Sequence, residues 1–451
     1  MKIIYQVEDK PRFGQLIVFA IQQLLAIMAA TLVVPVIIGN GMSPAAALFG
    51  AGVGTLVYIA FTKKQSPVFL GSSFAFLGSM AAAFAGGVSM SLGYLGLILG
   101  AIFAGLVYVF IAAIVKAVGV HWINRLMPAV VIGPTVAIIG LSLAGNAVGD
   151  IVSGNVMIGE TQAASPLICF VCGLVTLFTV ILASTFGKRT AKLIPFIIGI
   201  AAGYAVSAIF TVIGNAAGID ALKVLDFSPF TALVADGISL HTFIAVPDFT
   251  FLTAAKGFGE LNGTYVGTVA VAYVPVAFVV FAEHIADHKN LSSVIGRDLL
   301  EKPGLSRTLL GDGVGSMAGA IFGGCPNTTY GESIGCVAIT GNASVATILA
   351  ASIGAILISF LSPFVAIVNS IPSCVMGGVC MTLYGFIAVS GLRMFKDIDL
   401  DKNKNLFVVS VILIAGIGGL SLTFGSVTLT PVAVALILGI VTNLMLKNSE
   451  D

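Results

Sequence analysis

The sequence predicts an all-α polytopic membrane protein of fourteen spans, folded as two inverted halves of seven. Three observations predict it. Apolar runs of spanning length recur along the whole chain, basic residues fall in alternate gaps between them, and one interrupted segment has an echo in the other half. Hydrophobic residues make up 58% of the 451 and charged residues only 9%, with a mean hydropathy of +1.09. Soluble domains carry about 25% charge, so a soluble enzyme or binding module is excluded.

The spans begin near residues 15, 44, 67, 92, 127, 166, 192, 270, 309, 327, 343, 374, 404 and 430, each an apolar run of the kind a transmembrane helix needs. Cytoplasmic loops collect Lys and Arg, which tests the count. With both termini inside, the inner segments hold Lys2, Lys10 and Arg12, then Lys63 and Lys64, then Lys116 and Arg125. They continue with Lys188, Arg189 and Lys192, then Lys289, Arg297, Lys302 and Arg307, then Arg393, Lys396, Lys402 and Lys404, and last Lys447. Of the 21 basic residues only Lys223 and Lys256 fall outside. One span more or fewer would scramble the pattern.

A net charge of +1 gives no pull toward nucleic acid. Polar residues 1–14 lead straight into a span too long for the apolar core of a signal peptide. The six cysteines, 169, 172, 325, 336, 374 and 380, all lie in apolar surroundings. Cys169 and Cys172 form a CxxC inside a helix with no second pair, which reads as core packing and not as a metal site. Trp122 and the Asn262-Gly-Thr sequon carry little weight.

The longest hydrophilic stretch, about residues 215–262, holds Asp220, Asp226, Asp236, Asp248 and Glu260 and lies outside. Seven spans precede it and seven follow. An odd number per half makes the second half enter from the opposite side, the inverted repeat of transporters. Gly71-Ser-Ser-Phe-Ala-Phe76 and Asn327-Thr-Thr-Tyr-Gly-Glu332 each lie in the third span of their half, after Pro67 and Pro326. Corresponding interrupted segments point to a midplane site built from broken helices. Non-helical backbone at that depth is tolerated only against protein or a wet cavity.

Glu283, Asp287 and Glu332 are carboxylates in membrane-spanning stretches. Ionisable groups there are costly and mark a substrate or proton path. If the eighth helix runs from about 270 to 294, Glu283 sits near its middle and Asp287 is one turn on, on the same face. Two such acids share a proton more readily than they hold two charges, and their titrations couple. His284 and His288 form a second i, i+4 pair on the neighbouring face, or else belong to a solvated helix end. Glu332 follows Tyr330-Gly331 where a strand-like stretch turns into a half-helix, whose first amides suit a polar ligand. Phe74 or Tyr330 can pack on the ring of a heterocycle. Asp312, between Gly311 and Gly313, orients its neighbours in a region of close backbone packing.

Pro326-Asn-Thr-Thr-Tyr-Gly-Glu-Ser-Ile-Gly335, with Ala282-Glu-His284 and Gly71-Ser-Ser-Phe-Ala-Phe76, closely resembles the nucleobase–ascorbate transporters, in particular their uracil permease branch. The likeness covers nearly the whole chain. It implies short antiparallel strands in spans three and ten. It also implies a core domain of residues 1–126 and 264–372 and a gate domain of 127–214 and 373–451, with an extracytoplasmic loop at 215–263. The resemblance further implies that Glu283 and Glu332 hold the base, with contacts from Ala30, Phe74, Tyr330 and Gly331, and that Glu283 or Asp287 carries the coupling proton. Gln22, His284, Asp312 and Ser333 would support them. Dimerisation through the gate domain is implied as well, with no metal and no cofactor beyond protons.

Three positions depart from that pattern. The family's Gln-His in span one reads Gln22-Gln23, the residue four after Glu283 is Asp287 where uracil permeases often have His, and Glu-Asn in span ten reads Glu332-Ser333. Asp287 matches purine-transporting relatives, whereas Glu332 favours a pyrimidine. The expectation is a proton-coupled uracil importer of a prokaryotic inner membrane, embedded in lipid, with a xanthine or urate symporter as the alternative. An anion transporter of the same architecture would lack the paired acids. An intramembrane enzyme is disfavoured, because no HExxH occurs and Leu309-Leu-Gly-Asp312 lacks the first glycine of a GxGD motif.

Overall fold

The computed structural model describes residues 3–119, 128–159, 161–235, 237–424 and 427–446. Lys2, Trp122, Arg125, Asp236 and Lys447 lie outside the described residues. Among those described, eight helices are long and apolar enough to cross a membrane, from Phe13–Ile38 to Ser373–Lys396. They coincide with eight of the fourteen expected segments. Of the other six, one falls on the less apolar helix Leu305–Gly323 and the rest on shorter or interrupted elements, such as Val345–Ile358, Asn403–Ile417 and Pro431–Met445.

Two packing units make up the chain. The first comprises Met1–Ser142, Asp248–Ile356 and Ile387–Asp451. Its site-bearing elements are helix α1 (Phe13–Ile38), helix α2 (Pro44–Phe61), strand β1 (Leu70–Ser72), helix α3 (Met90–Val118) and helix α4 (Gly263–Ile295). Helix α5 (Leu305–Gly323), strand β2 (Asn327–Thr329) and helix α6 (Gly331–Thr340) complete the set. Local chemistry explains the boundaries. Pro44 sits in the first turn of α2 while the Ser43 hydroxyl accepts from the Ala46 amide, and Ser89 does the same for Leu92 at the start of α3, both standard ways to satisfy orphan amides. The Asn262 side chain accepts from Tyr265 N, so the residue of the sequon is a helix cap. Helices α4, α5 and α6 all stop at a glycine with left-handed backbone, Gly296, Gly324 and Gly341.

Helix α5 packs on α2 and α3 at backbone-to-backbone distance. A Cβ on Gly54 would come within 2.7 Å of Gly315 O, and one on Gly315 within 2.6 Å of Gly54 O. Gly105 of α3 and Gly313 of α5 meet in the same reciprocal way, at 2.6 and 2.8 Å. Small residues at four-residue spacing are how membrane helices approach closely without a hydrophobic driving force. The contacting runs are Gly50-Ala-Gly-Val-Gly54 and Gly311-Asp-Gly-Val-Gly315, so the expected close packing around Asp312 is present.

The second unit comprises Leu143–Pro247 and Leu357–Phe386. Helices Pro166–Phe186 and Pro195–Ala217 pack along each other. Cys169, Cys172 and Cys374 lie in a buried cluster with Ala164, Val224 and Val375, and all six cysteines of the chain are free thiols in buried positions. Residues 215–263, expected as a loop, carry short helical turns at Asp220–Leu222, Ser228–Ala232, Leu240–Phe243, Thr250–Ala254 and Ala255–Glu260.

Among the described residues, three two-stranded antiparallel pairs interrupt the helices. The pair of β1 with β2 has the register Leu70↔Thr329, Gly71↔Thr328, Ser72↔Asn327. The resemblance led to this pair. The two hairpins Met157–Ile158/Thr161–Gln162 and Leu422–Phe424/Val427–Leu429 were not foreseen.

Candidate functional site

Strands β1 and β2 come from distant parts of the chain and meet in a buried antiparallel crossing within the first unit. Ser73 N donates to Pro326 O at 2.9 Å, extending the pairing by one bond. Tyr330 clamps the crossing: its hydroxyl donates to Ser72 O at 2.6 Å, and its ring lies where a Cβ on Gly71 would be. Tyr330 is therefore buried and committed to the strands. Its side chain is not the open aromatic face. Phe74, half-buried at the head of the turn Phe74–Phe76, is another aromatic beside the crossing.

Helix α6 begins one residue after β2, with Glu332 in its first turn, and Tyr330 places no side-chain cap on the first amides. A helix start of this kind offers N–H donors and the positive end of the helix dipole. Gly331 is exposed, and beside Gly331 and Gly335 a Cβ would meet nothing within 4 Å. The start of α6 thus borders open space.

Helix α4 runs unbroken through 33 residues, well past the point near Glu283 where hydropathy alone would end it. Glu283 and Asp287 are half-buried, whereas His284 and His288 are only 1% and 0% exposed. One face of α4 therefore presents its acids to the crossing while the next face is sealed in protein. Asp287 Oδ2 accepts from Thr329 Oγ1 at 2.7 Å, which ties the helix to the end of β2. Glu283, Asp287 and Glu332 lie within Coulombic reach of one another. Three carboxylates from two separated segments thus lie close enough to feel one another's charge.

The sealed face is a polar network. His284 Nδ1 lies 2.6 Å from Asp312 Oδ2, and its Nε2 lies 2.9 Å from Thr308 Oγ1. His288 Nδ1 donates to the His284 carbonyl at 2.8 Å. A carbonyl only accepts, so Nδ1 carries the hydrogen and Nε2 faces the Tyr58 hydroxyl at 2.7 Å as acceptor. Tyr58 in turn lies 2.7 Å from Ser66. The histidines are helix anchors, and the solvated-end reading is set aside.

The expected support from Gln22 falls to its neighbour. Gln23 Nε2 donates to Ser333 Oγ at 2.5 Å, and that oxygen also accepts from Phe69 N at 3.0 Å, joining α1, the approach to β1 and the first turn of α6. Gln22 Oε1 is buried with no hydrogen-bond partner. Ala30 is buried on α1 at 1% exposure. Sequence reasoning missed Thr329, Thr308 and Tyr58. Thr329 was within reach, being the last residue of the Asn-Thr-Thr run before Tyr330.

Comparison with known proteins follows the same lines. The model of the Permease family (Xan_ur_permease) matches residues 14–425. The chain belongs to this family, the nucleobase–ascorbate transporters. It is 38% identical over 449 residues to the uracil permease of Bacillus caldolyticus, covering 99% of this chain and 95% of that protein. The uracil permease of Escherichia coli (strain K12) is 34% identical, with 98% and 93% covered. These relatives are named permeases, which carry solutes and are not enzymes. The fold is shared more widely. The murine anion transporter Slc26a9 in its inward-facing state superposes with a TM-score of 0.64 at 10% identity, over 98% of this chain and 69% of that one. The transmembrane domain of the cyanobacterial bicarbonate transporter BicA gives 0.59 at 13% identity, over 97% and 100%.

Proposed function

We propose that this permease imports uracil together with protons across the inner membrane of a prokaryote. The observation that carries the reading is the convergence of Glu283, Asp287 and Glu332 at the β1–β2 crossing, in a chain whose relatives are named uracil permeases. Uracil has two N–H donors and two carbonyl acceptors. Carboxylates accept from the former and the uncapped amides at the start of α6 donate to the latter. Glu283 and Glu332 hold the base, Phe74 packs on its ring, and Ala30, Tyr330 and Gly331 shape the pocket. Gln22 or its neighbour Gln23, with His284, Asp312 and Ser333, keeps the acids in place.

In this scheme a proton taken from outside by Glu283 or Asp287 removes a charge from a site shielded from bulk water. The loaded core domain (1–126, 264–372) then shifts against the gate domain (127–214, 373–451) in an elevator-type movement. Release to the cytoplasm follows deprotonation. Fourteen segments in two inverted sevens, both termini cytoplasmic, and a homodimer through the gate domain complete the proposal.

Labelled uracil should accumulate in proteoliposomes under a pH gradient, acid outside, and Glu283→Gln should lose at least about 99% of the initial rate, a transition-state loss of roughly 3 kcal/mol. No accumulation above empty vesicles would sink the assignment. Asp287, shared with purine-transporting relatives, supports a second reading as a xanthine or urate symporter. Competition of uptake by excess xanthine, absent under the first reading and strong under the second, separates them.

A further inference from the structure

The two helices that bring the acids together are joined a second time, far from the β1–β2 crossing, at their C-terminal ends. Helix α4 stops at Gly296, and Arg297 follows it. Helix α6 stops at Gly341, and Asn342–Val345 lead on to the next helix. Residues 4–9 of the chain lie across both ends. Ile4 N donates to Gly341 O at 2.7 Å, Ala343 N to Tyr5 O at 2.9 Å and Val345 N to Val7 O at 3.1 Å, with a parallel bridge between Tyr5 and Asn342. Ser344 Oγ donates to Asp9 O at 2.5 Å. On the other side Glu8 accepts from Arg297 in an ion pair. Tyr5 also reaches α1: its hydroxyl donates to Gln15 at 2.7 Å, and its ring meets Phe19 edge-on at 6.0 Å. Val7 is 2% exposed, so the segment is packed into the unit and not laid loosely on it.

We infer that residues 4–9 are a clasp that fixes α4 and α6 relative to each other and thereby positions Glu283 and Asp287 against Glu332. It rests on the proposed function for what the site binds, and for the clasp on the contacts of residues 4–9 alone. Helix α6 is short, and its site end is set by the crossing. Its other end has this segment as a brace to α4. Backbone bonds hold the segment to the end of α6, whereas its hold on α4 is the Glu8–Arg297 ion pair, an exposed contact of modest strength.

Two readouts test the clasp, uracil uptake in proteoliposomes and a distance measurement on the same protein in nanodiscs. Removing residues 1–9 should raise the uracil KM about tenfold, the cost of several lost hydrogen bonds, with the maximal rate little changed. Glu8→Arg should raise it about threefold, and Glu8→Arg combined with Arg297→Glu should restore it. Independently of substrate, spin labels at Asn290→Cys and Ala338→Cys should give a narrow distance distribution that broadens in Glu8→Arg and narrows again in the charge swap. If the truncated protein does not fold, the charge pair decides. A KM and a distance distribution that ignore both the reversal and the swap overturn the clasp. Failure of the unaltered protein to take up uracil overturns the proposed function and leaves the distance measurement to judge the clasp.

Discussion

The two crossing segments are alike in backbone and unlike in chemistry. β1 and β2 pair residue for residue, and each is followed at once by a helical turn. The helices beside them, α2 and α5, meet through matched runs, Gly50-Ala-Gly-Val-Gly54 and Gly311-Asp-Gly-Val-Gly315. Yet the second-half elements carry Asp312 and Glu332, where the matching first-half positions carry Ala51 and Phe76. The scaffold is written twice and the chemistry once. A crossing needs two similar arms for its backbone bonds, whereas a site for one small solute needs its charges on one side.

That contrast predicts symmetric damage at scaffold positions. Gly54→Leu and Gly315→Leu should each destabilise the protein by about 3 kcal/mol or prevent folding, because each Cβ is driven into the other helix's carbonyl. Gly335→Ala, beside open space, should instead stabilise by up to about 1 kcal/mol, as alanine does in a helix. Thermal unfolding in detergent compares the three. Unequal losses at Gly54 and Gly315 would break the symmetry.

At chemical positions the damage should be one-sided. Asp312→Ala strips His284 of its partner in a sealed site, with a loss of about 3 kcal/mol and of uracil uptake. Ala51→Gly at the matching position should cost only about 1 kcal/mol. A smaller effect belongs to Thr329→Val, which removes the hydroxyl on Asp287. About 1.5 kcal/mol, seen as a rise in KM of roughly tenfold, is expected while Thr328→Val stays near the unaltered protein. Equal effects at Thr328 and Thr329 would show that the hydroxyl on Asp287 is not special.

Much of this contrast was legible in the sequence, and the gaps have physical reasons. Hydropathy located the long helices, since burial in lipid demands apolar runs. The matched interrupted segments pointed to the crossing, because only they combine small hydroxyl residues, an aromatic and a preceding proline. Helix phase was not legible. α1 is apolar nearly all round, so no stripe tells whether Gln22 or Gln23 faces α6. The end of α4 was hidden too, because a helix whose last turns pack against protein can carry His284 and His288 where a lipid-facing one could not. Residues 215–263 look hydrophilic as a run. Their short helical turns are marked only by local caps, such as Pro229 in the first turn of Ser228–Ala232 and the Ser239–Thr242 pair, which a hydropathy reading passes over.

The smallest effect concerns the brace, which sits on the chemical arm at the far end of α6. Arg297, by its hydrogen bond, holds the Glu8 carboxyl below the usual carboxylate range, and Lys302 adds to the pull. A carboxyl depressed in the folded state contributes stability that is present above its unfolded value, about 4.3, and is lost as pH falls through the folded one. The pair is exposed, so the contribution is under about 1 kcal/mol. The spin-label distance between α4 and α6 should therefore be flat from pH 7 to about pH 5 and broaden only in more acid solution, whereas Glu8→Gln should be broad throughout and flat. Broadening already between pH 7 and pH 6 would mean that a group other than Glu8 loosens this arm, and the clasp would then respond to the same proton range as the site it braces.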